Sequence, residues 1–212
     1  MKPLITKLSV PLLGAITAAL LSGCASSSGV KNPSGVGVTR MNADEQGFVA
    51  GTGVESQDLV EVTDKMTRSI LSLPAVANAA APPTVVLEPV ENQTRFAINK
   101  DIFLTRIRAQ LNSKASGKVI FLARNQMAAL ERERNMKRQG QLTASSDPSA
   151  QEFKGADYFL TGSLQGLSTR TGSGTSDYIL YNFQLVDARS SAIIWEDMAE
   201  IKKQGLQDAA YR

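Results

Sequence analysis

Cys24 is the only cysteine in this 212-residue chain, and its neighbours decide what its thiol can do. Leu21-Ser22-Gly23-Cys24 closes an apolar run that begins near Leu8, and Lys2 and Lys7 precede that run. A positive start, a short apolar stretch and small residues at its end make an export signal, too short to span a bilayer permanently. Where such a signal ends on cysteine, the thiol is the nucleophile that receives a diacylglyceryl group. This is the lipobox of bacterial lipoproteins, and the amine freed by cleavage is acylated in turn. Ala25 stands where an aspartate would favour retention in the inner membrane. The expectation is a signal peptide over residues 1–23, lipidation of Cys24, and anchorage on the periplasmic face of the outer membrane.

Other reactive chemistry is scarce. There is no histidine, which removes the commonest general base and metal ligand. With Cys24 acylated no thiolate remains, so Cys/His and Ser/His nucleophile arrangements are excluded. The acidic pairs Asp44-Glu45, Glu131 with Glu133, and Glu196-Asp197 lie in polar surroundings that would not raise a carboxyl pKa. Glycines at Gly35–Gly37, Gly51–Gly53 and Gly172–Gly174 precede no Gly-Lys-Ser/Thr and are not phosphate loops. Asn92-Gln93-Thr94 matches a glycosylation sequon, which is idle in a bacterial lipoprotein. The formal charge of +3 falls to +1 when Lys2 and Lys7 leave with the signal, giving no electrostatic reason to expect nucleic acid. By elimination this is a binding or scaffolding protein, without catalytic residues, metal or cofactor, and the expectation is a monomer.

The elements that would carry such a surface follow from periodicity. Residues 24–55 are rich in Ser, Gly and Val and read as a flexible tether. About 30 such residues extend to about 100 Å and average nearer 30 Å as a coil. Leu59, Val62, Met66, Ile70 and Leu73 form one helical face, with Ser56 as the expected cap and Pro74 as the stop. An Ala/Pro linker leads to an interior strand, Thr84–Leu87, and a polar loop, Glu91–Arg95. A second helix carries Phe103, Leu104, Ile107 and Leu111 and ends at Gly117; Val119–Leu122 is then expected as a second buried strand. Strand, helix, strand is a crossover unit, so the two strands should be parallel. A third helix starts near Asn125, with Met127, Leu130 and Met136 inward and Glu131-Arg132-Glu133-Arg134 and Lys137-Arg138 solvated. Gly140–Ser146 reads as a loop, and Asp147-Pro148 as the opening of a short helix.

From Tyr158 the period changes to two. Tyr158, Leu160 and Leu164, then Ile179, Tyr181, Phe183 and Leu185, then Ile193, Trp195, Ala199 and Ile201 alternate with polar residues. These segments form a three-strand antiparallel meander with one face buried. The fold class is α+β: one mixed sheet, a parallel crossover unit plus the meander, covered by helices. The domain spans 56–204, and 205–212 is a frayed tail.

Several of these segments together resemble a known family. The lipobox and tether, Val86-Leu87-Glu88-Pro89-Val90-Glu91-Asn92-Gln93-Thr94 before a helix ending Arg106-Ile107-Arg108-Ala109-Gln110-Leu111, Gly155-Ala156-Asp157-Tyr158-Phe159-Leu160-Thr161-Gly162-Ser163, and Ile193-Ile194-Trp195 are similar to LpoB-type lipoproteins. The resemblance covers essentially all of residues 54–204. It implies a fold like the N-terminal domain of TolB-like periplasmic proteins. It further implies an outer-membrane lipoprotein that binds a docking domain of a class A penicillin-binding protein and stimulates glycan-strand polymerisation allosterically. The partner-binding residues expected on this reading are Asn92, Thr94, Arg95, Asn99, Arg106 and Arg108. LpoB members with longer, proline-rich tethers differ from this chain, in which Pro33 is the only proline between Cys24 and the domain. The alternative is a structural or assembly lipoprotein of the outer membrane, related to curli-secretion or surface-organelle factors.

Overall fold

The computed structural model describes residues 38–48, 50–115, 117–143 and 153–206. The signal segment, Cys24, the Asp147-Pro148 turn and the tail from Gln207 lie outside the described residues. Helix α1 (Ser56–Ser72) buries Val62, Met66 and Ile70, as their spacing requires. Its cap is Glu55, not Ser56. The Glu55 N–H donates to Asp58 Oδ2 at 2.8 Å, and the Glu55 carboxylate accepts from the backbone of Asp58. A carboxylate in the third position serves the cap N–H whichever residue precedes it, so the long Glu55 side chain replaces serine in a capping box. Pro74 stops α1 and opens a one-turn helix, α2 (Pro74–Ala77), because its fixed φ suits a first helical position. Part of the expected linker is therefore helical.

Strand β1 (Thr84–Leu87) is interior, as its apolar run predicts. The expected polar loop instead begins with a strand, β2 (Glu91–Gln93). Helix α3 (Ile102–Lys114) buries Phe103, Leu104, Ile107 and Leu111, and Gly117, with φ +80°, turns the chain after it. Strand β3 is only Ile120–Phe121, with Ile120 exposed; it lies at the sheet edge rather than inside it. After a 3₁₀ turn (Arg124–Gln126), α4 (Met127–Arg138) buries no side chain. Three apolar residues among so many charges do not make a stripe that docks. Glu133 and Lys137 do pair on its surface, at 3.3 Å.

The long strands β4 (Tyr158–Thr171), β5 (Gly174–Asp187) and β6 (Ile193–Gly205) form the antiparallel meander. The sheet order is β3-β1-β4-β5-β6, with β1 parallel to both β3 and β4. Strand β2 also pairs parallel with β4, end to end with β1. Leu87 aligns with Leu160 and Glu91 with Ser163, so Glu88, Pro89 and Val90 lie opposite two residues. Pro89 has no N–H to give the ladder, and the strand is broken there by a bulge.

Odd-numbered residues of β5 from Thr175 to Leu185 are buried and even-numbered ones are half-buried. The Phe103 ring packs on Tyr181 at 5.5 Å and Phe183 at 6.0 Å between centroids, so α3 lies over this face. Trp195 Nε1 donates to Ser69 Oγ at 2.9 Å and ties β6 to α1. Gly162 faces Phe183, where a Cβ would lie 2.5 Å from the ring. Helices α1 and α3 cover only this face. The other carries side-chain bonds such as Tyr178 Oη to Glu200 (2.7 Å) and Asn182 to Glu196 (2.8 Å), with Leu167, Met198 and Ile193 exposed. Ile193 was expected inward. A register shift beside Leu185 and Val186 turns it out, and Ile194 packs against the core in its place.

Candidate functional site

Among the described residues no group of three His, Cys, Asp or Glu side chains could hold a metal ion. Nor is any described helix long and apolar enough to cross a membrane. The candidate site is built from the six residues expected to contact a partner.

Four of the six have intramolecular partners. Asn92, on β2, folds the following loop around itself. Its Nδ2 donates to the Phe96 carbonyl at 2.7 Å, and its Oδ1 accepts from the Thr94 N–H at 3.0 Å and hydroxyl at 2.8 Å. Thr94 Oγ1 also accepts from the Phe96 N–H at 3.2 Å. A short polar side chain two residues before a backbone N–H makes this Asx turn locally. Arg95 grips Asp177 with two bonds, Nε to Oδ1 at 2.8 Å and Nη2 to Oδ2 at 2.5 Å, and reaches Thr52 Oγ1 at 3.3 Å. Asp177 is 1% exposed, and Ser168 Oγ donates to it as well. The Arg95 fork holds the Asp177 carboxyl well below the usual carboxylate range; burial opposes this, and Ser168 and Thr52 assist.

That clamp joins β5, the β2–α3 loop and the chain before α1. Lys203 adds to it, donating to Asp58 Oδ2 at 2.5 Å and the Gly53 carbonyl at 3.0 Å. Thr52 and Gly53 are buried in consequence, so the segment read as the end of the tether is packed on the domain from Gly51.

Arg106 faces α1. Its Nη1 donates to Asp64 Oδ1 at 2.6 Å and also bonds Thr63 Oγ1 and the Val60 carbonyl. Gln110, one turn on, bonds Asp64 and accepts from Thr67 Oγ1 at 2.6 Å. Burial works to raise the Asp64 pKa, but the Gln110 and Arg106 bonds outweigh it and the carboxyl stays low.

Asn99 is exposed in the loop before α3. Arg108 is half-buried on the flank of α3 opposite Arg106, since two helical steps rotate a side chain by about 200°. Its side chain forms no hydrogen bond or ion pair with another described residue. It lines a cleft of about 420 Å³ with Asn112, on the same helix flank, and with Leu87 and Phe121, the last residues of β1 and β3. The lining continues through Leu122–Asn125, where Arg124 Nη2 donates to the Lys154 carbonyl at 2.6 Å. Sequence reasoning missed Asn112, Arg124 and Asn125. A signal was present, because loops leaving the carboxyl ends of adjacent parallel strands commonly border a binding crevice.

A family model described as peptidoglycan-synthase activator LpoB matches residues 58–201. Similar solved structures include the LpoB C-terminal domain from Salmonella enterica, 17% identical, with 68% of this chain and 98% of that chain covered and a TM-score of 0.42. The same domain from Escherichia coli is 17% identical, with 68% and 98% covered and a TM-score of 0.40. Lipoprotein GNA1162 from Neisseria meningitidis is 18% identical, with 58% and 84% covered and a TM-score of 0.36. No curated protein matches.

Proposed function

This chain belongs to the LpoB family of peptidoglycan-synthase activators, and from that membership we propose that it is a non-catalytic lipoprotein activator of a class A penicillin-binding protein. The observation that carries the reading is the extent of the family match. It runs from Asp58, in the first turn of α1, to Ile201 in β6, and so takes in nearly the whole folded domain. Cys24 is the proposed site of acylation, and the lipid holds the protein on the periplasmic face of the outer membrane. The partner is the docking domain of the synthase. Activation is a population shift: the domain contacts the active conformation better than the inactive one and supplies no reacting group.

The proposed contact surface is the β2–α3 loop and the two flanks of α3, carrying Asn92, Thr94, Arg95, Asn99, Arg106 and Arg108. Asn92, Thr94, Arg95 and Arg106 hold internal partners and shape the surface. The Asn99 and Arg108 side chains have no hydrogen-bond partner among the described residues and are the proposed direct contacts. A trans-acting activator uses its anchor for placement and not for contact. Protein lacking residues 1–24 is therefore expected to raise the rate of glycan polymerisation by the class A synthase of its own cell. Failure of the unmodified domain to bind or stimulate any such synthase overturns the reading. Separately, Cys24→Ser should abolish lipid labelling and release the protein from outer-membrane fractions, and persistent labelling would refute the anchor.

A further inference from the structure

The cleft beside Arg108 has a chemistry of its own. Its lining combines the apolar residues Leu87, Phe121 and Leu122 with two arginines, Arg108 and Arg124, and includes no acidic side chain. Elsewhere Arg95 is matched to Asp177 and Arg106 to Asp64, and the half-buried Arg134 lies over the Phe153 ring at 3.8 Å. Neither Arg108 nor Arg124 forms an ion pair among the described residues. Arg124 is held in place through its bond to the Lys154 carbonyl, and its Nη1 faces Met127 Sδ at 3.9 Å, which uses no charge. Two arginines without an ion pair among the described residues thus line one cleft together with apolar side chains, at the carboxyl ends of two parallel strands.

We propose that this cleft seats a carboxylate side chain, next to an apolar residue, from the synthase docking domain. The proposal deepens the function above and rests on it. A guanidinium fork meets a carboxylate in two parallel bonds, and such charge-assisted pairs are stronger and more directional than neutral ones. The apolar part of the lining makes a protein segment a better occupant than a small inorganic anion, which would leave Leu87, Phe121 and Leu122 uncovered. Asn112 and Asn125 offer further donors at the rim.

The test is titration of the purified class A synthase with the domain lacking residues 1–24, at several salt concentrations. Arg108→Glu is expected to weaken binding tenfold or more. Arg108→Gln, which removes the charge at nearly constant size, should weaken it less and flatten the salt dependence. Arg108→Lys should restore only part of the loss, because a point charge replaces a fork. Arg132→Glu, on the exposed face of α4, changes net charge as much as Arg108→Glu and should bind as the unmodified domain does. Restoration of Arg108→Glu binding by one acidic-to-arginine change in the docking domain would identify the occupant. Unaltered affinity in both Arg108→Glu and Arg108→Gln, with circular dichroism and melting unchanged, overturns the cleft assignment and leaves the function standing. Equal weakening by Arg132→Glu also overturns it, since net charge alone would then explain the effect. No binding by the unmodified domain removes the function and the cleft together.

Discussion

Arg106 and Arg108 are the same residue type on the same helix, two positions apart, and they stand in different worlds. On the Arg106 flank every group the guanidinium bonds belongs to α1: Asp64, Thr63 and the Val60 carbonyl; Gln110, on the same helix, also bonds Asp64 and accepts from Thr67. On the Arg108 flank there is a cleft. The difference teaches that the apolar stripe of α3 separates a side that holds the domain together from a side that is free to recognise something else. A long cationic side chain beside a stripe belongs to one or the other according to what lies across from it.

The largest expected effect removes the divider itself. Phe103→Ala deletes a ring that is 1% exposed and touches Tyr181 and Phe183, and should cost about 3–5 kcal/mol of unfolding free energy in urea. Both flanks should then fail together. Arg106→Ala comes next. Its ion pair with Asp64 is about one-third exposed on each side, which limits the expected loss to about 1 kcal/mol.

Acid should sharpen the same contrast. The Asp64 and Asp177 carboxyls are depressed in the fold, so their contribution is complete above the ordinary carboxylate pKa of about 4 and is lost as pH falls through the lower folded values. Stability measured from pH 7 to pH 3 should fall less steeply in Asp64→Asn than in the unmodified protein. An identical pH slope would break the assignment of Asp64 to the holding flank. The smallest effect on stability belongs to Arg108→Ala, within about 0.5 kcal/mol, while its synthase affinity should drop by about 1 kcal/mol or more. A fold weakened as much by Arg108→Ala as by Arg106→Ala would erase the comparison.

What could be read from the sequence was whatever one face of one element decides. The stripes of α1 and α3 and the alternation of β5 are local patterns, and the structure follows them. Strand β2 was hidden because Glu91-Asn92-Gln93 has no apolar face; backbone pairing to β4 makes it a strand. The outward turn of Ile193 depends on a bulge, where period two loses its phase. The separation of Arg106 from Arg108 was legible as angle but not as environment, because Asp64 lies 42 residues away in sequence. The roles of Asn92 and Thr94 were readable from their spacing alone. That of Arg95, whose partner sits 82 residues on, was not.

The burial of Thr52 and Gly53 has a mechanical meaning. Any pull on the chain from its N-terminal side reaches the domain where Arg95 holds Thr52 and Lys203 holds Gly53. Along β5, Asp177 at that point is eight residues from Leu185, which shares its rung of the sheet with Leu87, and this places the load about 26 Å from the cleft. The bonds to Thr52 and Gly53 thus lie at one end of the long strands and the cleft at the other.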